Sequence, residues 1–297
     1  MASSSEPSPS VTLKNSACSV KLYTFGAHIV SFEVDGKEQL WMSSSSVMDG
    51  SKPIRGGIPI AFPQFADEGS LKLHGFARES VWTVADQTDD SVSLELVDNP
   101  TTLDLWPHRF RLLYRVVLLE RGLRISLTVE NPSTAEQMFS FTSCFHTYFR
   151  FPDTSQVLLS GLNNTTFIDK ADDRKEKLQT GPYLNVEDEA KRSAKDAGLE
   201  HGFVDRIYLN SPNHFQFLQN DDNKKTVLYD IEQSESFVDT TIYNPWLGDK
   251  QGPKGPDFDD DGYKYTICCE PTLAKQHCVV LQERETWEGY QIIVVPP

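Results

Sequence analysis

The feature that most constrains the fold is an alternation of apolar and polar residues that recurs along most of the chain. In the segment LRISLTVE, from Leu123 to Glu130, every odd-numbered residue is apolar and every even-numbered residue is polar. A period of two is that of a β-strand with one buried and one exposed face. The following Asn131-Pro132 pair ends the strand, and Arg121-Gly122 before it predicts a hairpin turn.

Six further segments have the same strand character, and helical periodicity is scarce. They are SVSLELV (91–97), FRLLYRVVLLE (110–120), MFSFTSCFHTYF (138–149), KTVLYDI (225–231), FVDTTIY (237–243) and YKYTICCE (263–270). One short helix is predicted around Glu187 to Lys195. Since no change of composition interrupts the strands, we predict an all-β protein with a single large antiparallel domain over residues 11–297. Residues 1–10 are predicted to be a disordered tail.

The balance of charge excludes several classes of partner. The formal net charge is −15, which argues against general nucleic-acid binding and against docking on anionic membranes. No apolar run approaches the ~18–20 residues of a membrane span. The five cysteines have no CxxC spacing and are expected to be free thiols in a reducing compartment. We therefore expect a cytoplasmic protein without nucleic-acid or membrane partners.

Local motifs for metals and cofactors are missing from the sequence. The seven histidines show neither HxH nor HExxH spacing, so no metal site is predicted. There is no glycine-rich phosphate loop and no GxSxG nucleophile elbow, so no cofactor is predicted either. The acidic stretch at 248–262 predicts a solvated loop, with a calcium site as an alternative that lacks the EF-hand spacing.

His146 and Glu270 are the candidates for proton transfer. His146 lies on the polar face of MFSFTSCFHTYF, whose other face carries phenylalanines that suit a core. Glu270 comes at the end of YKYTICCE, before Pro271, where a strand can deliver a side chain to a site. The alternatives are a structural histidine satisfied by a neighbour and an exposed strand end.

Two loop segments between the strands carry glycine, proline and basic residues. RGGIPIAFPQF, from Arg55 to Phe65, predicts a rigid irregular loop. The segment LHGFARE contains His74 and Arg78. Arginine presents a planar, permanently charged set of donors suited to phosphate or carboxylate, although each arginine could equally be an ordinary surface residue.

These segments together resemble the aldose 1-epimerase, or galactose mutarotase-like, family. The most similar branch is the glucose-6-phosphate 1-epimerase group, including the plant apospory-associated protein C-like members. The matching segments occur in the family's order and span most of the chain: RGGIPIAFPQF, HGFAR, SCFHTYF, DRIY (205–208), YNPW (243–246) and CCEP (268–271).

The resemblance implies a β-supersandwich with a concave sugar-binding face, and the reaction that it implies needs no cofactor. A monomer is the default expectation. The resemblance assigns His146 as general acid and Glu270 as general base. It places four further residues around a sugar phosphate, with the arginines facing the phosphate: Arg55, His74, Arg78 and Asp205. Leu73 stands where related epimerases often carry glutamine. A sugar contact is either lost there or supplied by Lys72 or Gln64. The 248–262 loop has the character of an insertion.

The function that this resemblance implies is interconversion of the α and β anomers of a hexose 6-phosphate, such as glucose 6-phosphate. His146 and Glu270 are then expected on opposite sides of the ring C–O unit, each within hydrogen-bond reach of its oxygen. Three alternatives stay open. They are a non-catalytic carbohydrate-binding or regulatory module on the same fold, an epimerase of free aldoses, and a metal-dependent β-barrel enzyme.

Overall fold

The structure is a computed structural model that describes residues 9–134, 137–197, 202–221, 224–245 and 255–297. Its strands, in chain order, are β1 Ser10–Lys14, β2 Cys18–Tyr23, β3 His28–Val34, β4 Lys37–Glu38, β5 Ile60–Ala61, β6 Thr83–Gln87, β7 Ser91–Val97, β8 Arg111–Leu119, β9 Gly122–Glu130, β10 Phe139–Phe141, β11 Ser143–Phe145, β12 Tyr148–Arg150, β13 Val157–Ser160, β14 Thr166–Asp169, β15 Lys175–Leu178, β16 Tyr183–Leu184, β17 Val204–Tyr208, β18 His214–Asp221, β19 Lys224–Gln233, β20 Asp239–Asn244, β21 Thr266–Leu273, β22 Val279–Leu281 and β23 Thr286–Val294.

The helical elements in the described residues are short. The α-helices are α1 Pro100–Leu105 and α2 Val186–Ala197, and single 3-10 turns occur at Ala77–Glu79, Thr154–Gln156, Gly262–Lys264 and Lys275–His277. Helix α2 confirms the helix predicted around Glu187 to Lys195. Helix α1 begins with Asn99 as N-cap and a proline in its first turn, a start signal that the sequence analysis did not use. Among the described residues, no helix has the length and apolar character needed to cross a membrane.

Two large antiparallel sheets dominate the architecture. One has nine strands in the order β16-β13-β18-β19-β23-β9-β8-β7-β6. The other has the order β15-β14-β17-β20-β21-β11-β5, with β12 also paired to β21. A four-stranded sheet, β1 to β4, and the β10-β22 pair complete the fold. The all-β prediction is confirmed.

Aromatic side chains from the two large sheets meet face to face and make the arrangement a sandwich. Phe145 of β11 lies with its ring centroid 5.8 Å from Tyr114 of β8. Phe149 of β12 packs at 5.3 Å against Phe217 of β18. One continuous cluster of buried apolar residues runs from Val11 to Ile293. Three smaller buried clusters lie beside it, and the single domain stays a prediction.

Several boundaries differ from the sequence-based expectation. The segment 138–149 forms three short strands rather than one. β10 pairs with β22, whereas β11 and β12 both pair with β21. β21 begins at Thr266, after a 3-10 turn, and continues through Pro271 to Leu273, so proline does not end it. The predicted tail is wrong at residues 9 and 10, since β1 begins at Ser10 and Pro9 accepts a hydrogen bond from Thr24. Residues 1–8 lie outside the described part.

Candidate active site

A cavity of about 340 Å³ lies on the face of the eight-stranded sheet that points away from the core. Five of the six residues predicted for the site line it: Arg55, His74, His146, Asp205 and Glu270. The other lining residues are Phe65, Ala66, Asp67, Leu73, Tyr148, Lys170, Thr241, Tyr243 and Gly255. The sixth predicted residue, Arg78, is not part of this lining. The fold therefore brings together residues that are far apart in the sequence.

The alternation along β21 explains how Glu270 reaches the cavity. Ile267 and Cys269 belong to the apolar core between the sheets, so Cys268 and Glu270 point to the other face. The neighbouring strand β20 pairs Thr241 with Glu270, and Thr241 also lines the cavity. The carboxyl of Glu270 is 1% exposed. The interpretation of Glu270 as an exposed strand end is therefore wrong.

The loop predicted between Arg55 and Phe65 holds His146 in place through the backbone. The N–H of His146 donates to the carbonyl of Pro59, and that of Tyr148 donates to Gly57, both at 3.0 Å. Gly57 has a φ of +63°, and a Cβ there would lie 2.1 Å from the carbonyl oxygen of Ile29. Only glycine fits this close approach of two backbones. The loop is thus a rigid support for the strand end that carries the histidine.

His146 and Glu270 lie side by side. Nδ1 of His146 is 3.2 Å from Oε1 of Glu270, but the atoms are not aligned for a hydrogen bond, and neither has another partner among the described residues. The second carboxylate oxygen, Oε2, accepts a hydrogen bond from the thiol of Cys144 at 2.9 Å. The imidazole stacks on Tyr148 with centroids 4.5 Å apart and planes 5° from parallel. The pair is adjacent, which differs from the expectation that the two groups lie on opposite sides of the ring C–O unit.

Burial opposes charge on both members of this pair. Burial raises the pKa of Glu270 to about 8, with Asp205 adding to the rise, and the Cys144 hydrogen bond and Lys170 opposing it. Burial also lowers the pKa of His146 well below its usual range, and the positive charges of Arg55 and Arg78 lower it further. The structure therefore favours a neutral imidazole beside a protonated carboxyl.

His74 faces the cavity from a tight loop that fixes its tautomer. The N–H of Ala66 donates to Nδ1 of His74 at 3.2 Å, and the N–H of His74 donates back to the carbonyl of Ala66 at 2.9 Å. Burial and the charge of Arg78 lower the pKa of His74 well below its usual range. A neutral ring whose Nδ1 accepts must carry its hydrogen on Nε2. His74 can therefore present a fixed N–H donor.

Two arginines carry positive charge close together at one end of the site. Arg55 donates to the hydroxyl of Tyr148 at 3.4 Å and to Asp257 at 3.1 Å. Arg78 donates to the carbonyl of Leu73 at 2.7 Å. Burial, followed by repulsion from Arg55, lowers the pKa of Arg78 to about 10. In the described part of the chain, Nε of each arginine is buried without a hydrogen-bond partner. Buried donors of this kind call for an acceptor.

Several site residues were missed by the sequence analysis. Lys170 follows β14 and pairs with Asp205 at 2.9 Å. Burial raises the pKa of Asp205, and Lys170 opposes the rise. Tyr148 could have been found, because it follows His146 by two residues on the same polar face of the motif. Lys170 had no such signal, since it stands in a charged stretch without periodicity.

The acidic loop is closer to the site than predicted. Residues 248–254 of the predicted loop lie outside the described part. Beyond them, Asp257 pairs with Arg55, and Phe258 is buried with its ring centroid 4.5 Å from Trp41. Asp259 accepts hydrogen bonds from the hydroxyl of Ser43 and from the backbone N–H of Ser44. Phe258 therefore departs from the predicted solvated loop, whereas Asp257 and Asp259 are half-buried and Asp260 and Asp261 are exposed.

The two residues proposed to replace the usual glutamine do not line the cavity. Gln64 is buried and uses its side-chain amide to bind the backbone of Ala66 and Leu71. Lys72 pairs with Glu79 on the surface. Leu73 itself lies at the cavity wall. The contact that glutamine makes in related chains is thus not supplied from this loop.

Three potential metal-ligating atoms do come together at this site. They belong to His146, Cys268 and Glu270 and lie within 4.8 Å of one another. Sequence spacing could not reveal this group, since His146 lies between β11 and β12 and the other two residues belong to the distant strand β21. The positive charges that depress the pKa of His146, on Arg55, Arg78 and Lys170, would repel a cation. The surroundings suit an anionic ligand better than a metal ion.

Comparison with known proteins decides the family. The sequence profile described as "Aldose 1-epimerase" matches residues 9–294. The chain belongs to the aldose 1-epimerase family. This confirms the resemblance stated on the six sequence segments.

Curated relatives and solved structures agree with the assignment. This epimerase-family chain is 31% identical over 283 residues to a protein of Cenchrus ciliaris named "Putative glucose-6-phosphate 1-epimerase", covering 92% of this chain and 80% of that protein. An Escherichia coli K12 protein of the same name is 31% identical over 266 residues, covering 87% and 81%. The crystal structure of a "putative mutarotase" from Salmonella typhimurium matches with a TM-score of 0.77 at 26% identity, covering 96% and 90%. The predicted galactose mutarotase-like sandwich is confirmed.

Proposed function

We propose that this epimerase-family protein interconverts the α and β anomers of hexose 6-phosphates, with glucose 6-phosphate as the expected substrate. The observation that carries the proposal is the buried pair of His146 and Glu270, 3.2 Å apart, in a cavity that also presents Arg55. A carboxyl and an imidazole with unpartnered atoms at the same cavity are the two proton-transfer groups that ring opening needs.

The chemistry proceeds through the open-chain sugar. Glu270, as carboxylate, takes the proton from the anomeric hydroxyl while the bond between the anomeric carbon and the ring oxygen breaks. His146, as imidazolium, gives its proton to the ring oxygen. After rotation about the bond from the carbonyl carbon to its neighbour, the hydroxyl adds to the other face of the carbonyl. Its proton returns to His146, and Glu270 returns its proton to the new anomeric oxygen.

The side-by-side arrangement fits this chemistry. The ring oxygen and the anomeric hydroxyl are bonded to the same carbon, so the groups that serve them must be neighbours. Nδ1 of His146 and Oε1 of Glu270 are such neighbours, 3.2 Å apart and buried without a hydrogen-bond partner in the described residues. His74 and Asp205 line the same cavity and are proposed to bind sugar hydroxyls, His74 as a donor through Nε2. Positioned acid and base groups are each typically worth about 10²–10⁴-fold in rate.

Arg55 and Arg78 support a phosphorylated substrate. Each has a buried Nε without a partner in the described residues, and their mutual repulsion contributes to the lowered pKa of Arg78. A phosphate dianion supplies acceptors to both guanidinium groups and offsets their repulsion. It also captures the substrate locally against the net charge of −15. The names of the curated relatives support the same substrate class.

Phosphate binding has a second consequence for the acid–base pair. The charges of Arg55 and Arg78 depress the pKa of His146. An anion between them reduces this effect and favours an imidazolium beside a carboxylate. The substrate thereby helps to produce the charge distribution from which the reaction starts.

Exchange NMR on the purified protein tests the proposal. Saturation transfer between the two anomeric resonances of glucose 6-phosphate should show a rate proportional to enzyme concentration, above the uncatalysed rate. The same measurement on glucose should give a much lower kcat/KM. Absence of acceleration on both sugars would indicate a non-catalytic module, and a higher kcat/KM on glucose would indicate an epimerase of free aldoses.

The proposal also includes an oligomeric state and a cellular compartment. Four of the five free cysteines are buried, which supports a reducing compartment such as the cytoplasm. A monomer is the proposed state, and sedimentation equilibrium of the full chain tests it.

A further inference from the structure

We propose that Cys144 is a positioning residue whose thiol holds the Glu270 carboxylate in its working orientation and tunes its basicity. This inference rests on the function proposed above, since it concerns the base of that reaction. The geometry is a single hydrogen bond from Sγ of Cys144 to Oε2 of Glu270 at 2.9 Å. It occupies one carboxylate oxygen and leaves Oε1 toward His146 and the substrate.

The sheet fixes both partners of this hydrogen bond. Cys144 is in the middle of β11 and is paired with Thr272 of β21, two residues beyond Glu270. Both side chains point to the cavity side of the sheet, and both are buried, at 0% and 1% exposure. The pairing of β11 with β21 sets the positions of both side chains, and the thiol donates to Oε2. The carboxylate is thereby restricted to one orientation, as proton transfer to a defined oxygen requires.

The surroundings of the thiol are mostly apolar. Cys144 packs in a small cluster with Ala61, Phe65, Ala66 and Ile207, and the hydroxyl of Thr272 is its further polar neighbour. Burial raises the pKa of Cys144 well above its usual range, and the neighbouring carboxyl adds to the rise. The sulfur therefore keeps its proton at all physiological pH values and acts as a donor.

A thiol is a weak hydrogen-bond donor, and a weak donor is suited to hold a carboxylate that must remain basic. A strong donor such as a hydroxyl would stabilise the carboxylate more and make it less basic. A side chain without a donor would leave Oε2 buried and unpaired, which favours the protonated form. Cys144 lies between these extremes and fixes the carboxyl without removing its basicity.

Other charged and titratable groups also act on Glu270, and they must be held constant in a test. Asp205 of β17 raises its pKa and Lys170, after β14, lowers it. His146 lies at 3.2 Å, and Cys268 shares the same face of β21. Substitutions at Cys144 leave all four in place, so a change in the ionisation of Glu270 can be assigned to the thiol.

Two substitutions should move the ionisation of Glu270 in opposite directions. Cys144→Ala removes the donor and raises the pKa of Glu270, so the basic limb of the kcat/KM profile, on which the pair loses its one proton, should move up by about one pH unit. Cys144→Ser replaces the thiol by a stronger donor, so the limb should move down. With Cys144→Ala, kcat should fall about tenfold, because the freed carboxylate loses its orientation, and KM should change little.

The matched control is Cys269→Ala. Cys269 is the chain neighbour of Glu270 but belongs to the apolar core on the other side of β21. Removing its thiol tests whether any small cavity near the base has the same effect. Cys269→Ala should lower the melting temperature and leave the pH dependence of kcat/KM unchanged.

The experiment combines kinetics with a direct titration. The kcat/KM for anomerisation of glucose 6-phosphate is measured from pH 6 to 10 for the wild type and the three variants. In parallel, proteins carrying ¹³C-labelled glutamate are titrated by NMR, with the Glu270 resonance assigned by its absence in Glu270→Gln. Opposite shifts for alanine and serine in both measurements support the inference.

The possible failures are distinguishable. If the wild type does not accelerate anomerisation, the proposed function fails, whereas the NMR titration still reports whether Cys144 controls Glu270. If the wild type is active and both Cys144 variants retain its profile and its Glu270 titration, the positioning role is overturned. The same holds if Cys269→Ala reproduces the shift of Cys144→Ala. If Cys144→Ala does not fold, the downward shift with serine alone decides.

Discussion

Nδ1 of His146 lies 3.2 Å from Oε1 of Glu270, and this pair is buried on the outer face of a β-sheet rather than in the core between the sheets. An imidazole and a carboxyl group so close together would normally form an ion pair. Here burial and the neighbouring arginines disfavour the charged imidazolium, and burial disfavours the carboxylate. The pair therefore stores one proton that a bound substrate can redistribute.

Removal of either proton-transfer group should abolish most of the activity. We expect Glu270→Gln and His146→Ala each to slow anomerisation of glucose 6-phosphate by at least about 10²-fold. Binding should change little, because both groups act chiefly in the transition state. Exchange NMR gives the rates, and isothermal titration calorimetry gives the affinity. A near-normal rate in either variant would exclude that residue as a proton-transfer group.

The stability of the fold should depend on pH through Glu270. Its pKa rises from the usual 4.5 to about 8 on folding, so the folded state holds the proton more tightly than the unfolded chain. The stabilisation from this group is complete below about pH 4.5 and is lost as the pH rises through about 8. The melting temperature of Glu270→Gln, measured by calorimetry, should therefore increase relative to that of the wild type as the pH rises from 5 to 9. A constant difference between the two proteins would contradict the buried, protonated carboxyl.

Arg78 should contribute to binding of the phosphate and not of the sugar. We expect Arg78→Ala to lower kcat/KM for glucose 6-phosphate by about 10- to 100-fold, the usual range for a lost hydrogen bond to a charged group. Activity on free glucose should stay as it is in the wild type. Arg109→Ala is the matched control, since that side chain is 63% exposed. Equal losses on both sugars would rule out a phosphate role for Arg78.

Inorganic phosphate should raise the pKa of His146. The charges of Arg55 and Arg78 hold this pKa down, and an anion bound between them offsets part of their effect. Proton–nitrogen NMR of the histidine side chains follows the titration, with the His146 signals assigned by His146→Ala. The upward shift should disappear in Arg55→Ala. Phosphate that binds without moving the His146 titration would show that the two parts of the site are not coupled.

Asp257 should weaken the affinity for phosphorylated sugars. Its carboxylate occupies one side of Arg55 at 3.1 Å and repels an incoming anion. We expect Asp257→Asn to lower KM for glucose 6-phosphate by about threefold, a small effect because both side chains are partly exposed to solvent. The KM for glucose should not change. An increase of KM for the phosphorylated sugar would instead mean that Asp257 orients Arg55 for substrate.

Some parts of the fold were readable from local pattern alone. β7 occupies the predicted residues 91–97, and β9 differs from its prediction only by Gly122 at its start. Both strands have one face in the core, so their period of two is clear. The segment 138–149 was misread as one strand because its alternation continues through breaks where it changes partner. Periodicity reports which face of a strand is buried and contains no information about which strand it pairs with.

The residues of the candidate site divide in the same way, into those that local pattern could reveal and those that it could not. His146 and Glu270 could be selected because each is a titratable residue on the polar face of an otherwise apolar strand. Lys170 and Asp257 could not, because both stand in charged or irregular stretches, where one polar residue resembles the next. Their roles depend on partners, Asp205 and Arg55, that are close only in the folded chain.

The sequence by itself determined the all-β class, most strand positions and the types of residue available for proton transfer. These depend on local side-chain chemistry and on the alternation of a strand's two faces. Only the tertiary structure decided that His146 and Glu270 approach to 3.2 Å, that the thiol of Cys144 donates to Glu270, and that the acidic loop reaches Arg55. Each of these is a contact between distant segments, set by the register of paired strands and by burial, and the protonation of the site follows from that burial.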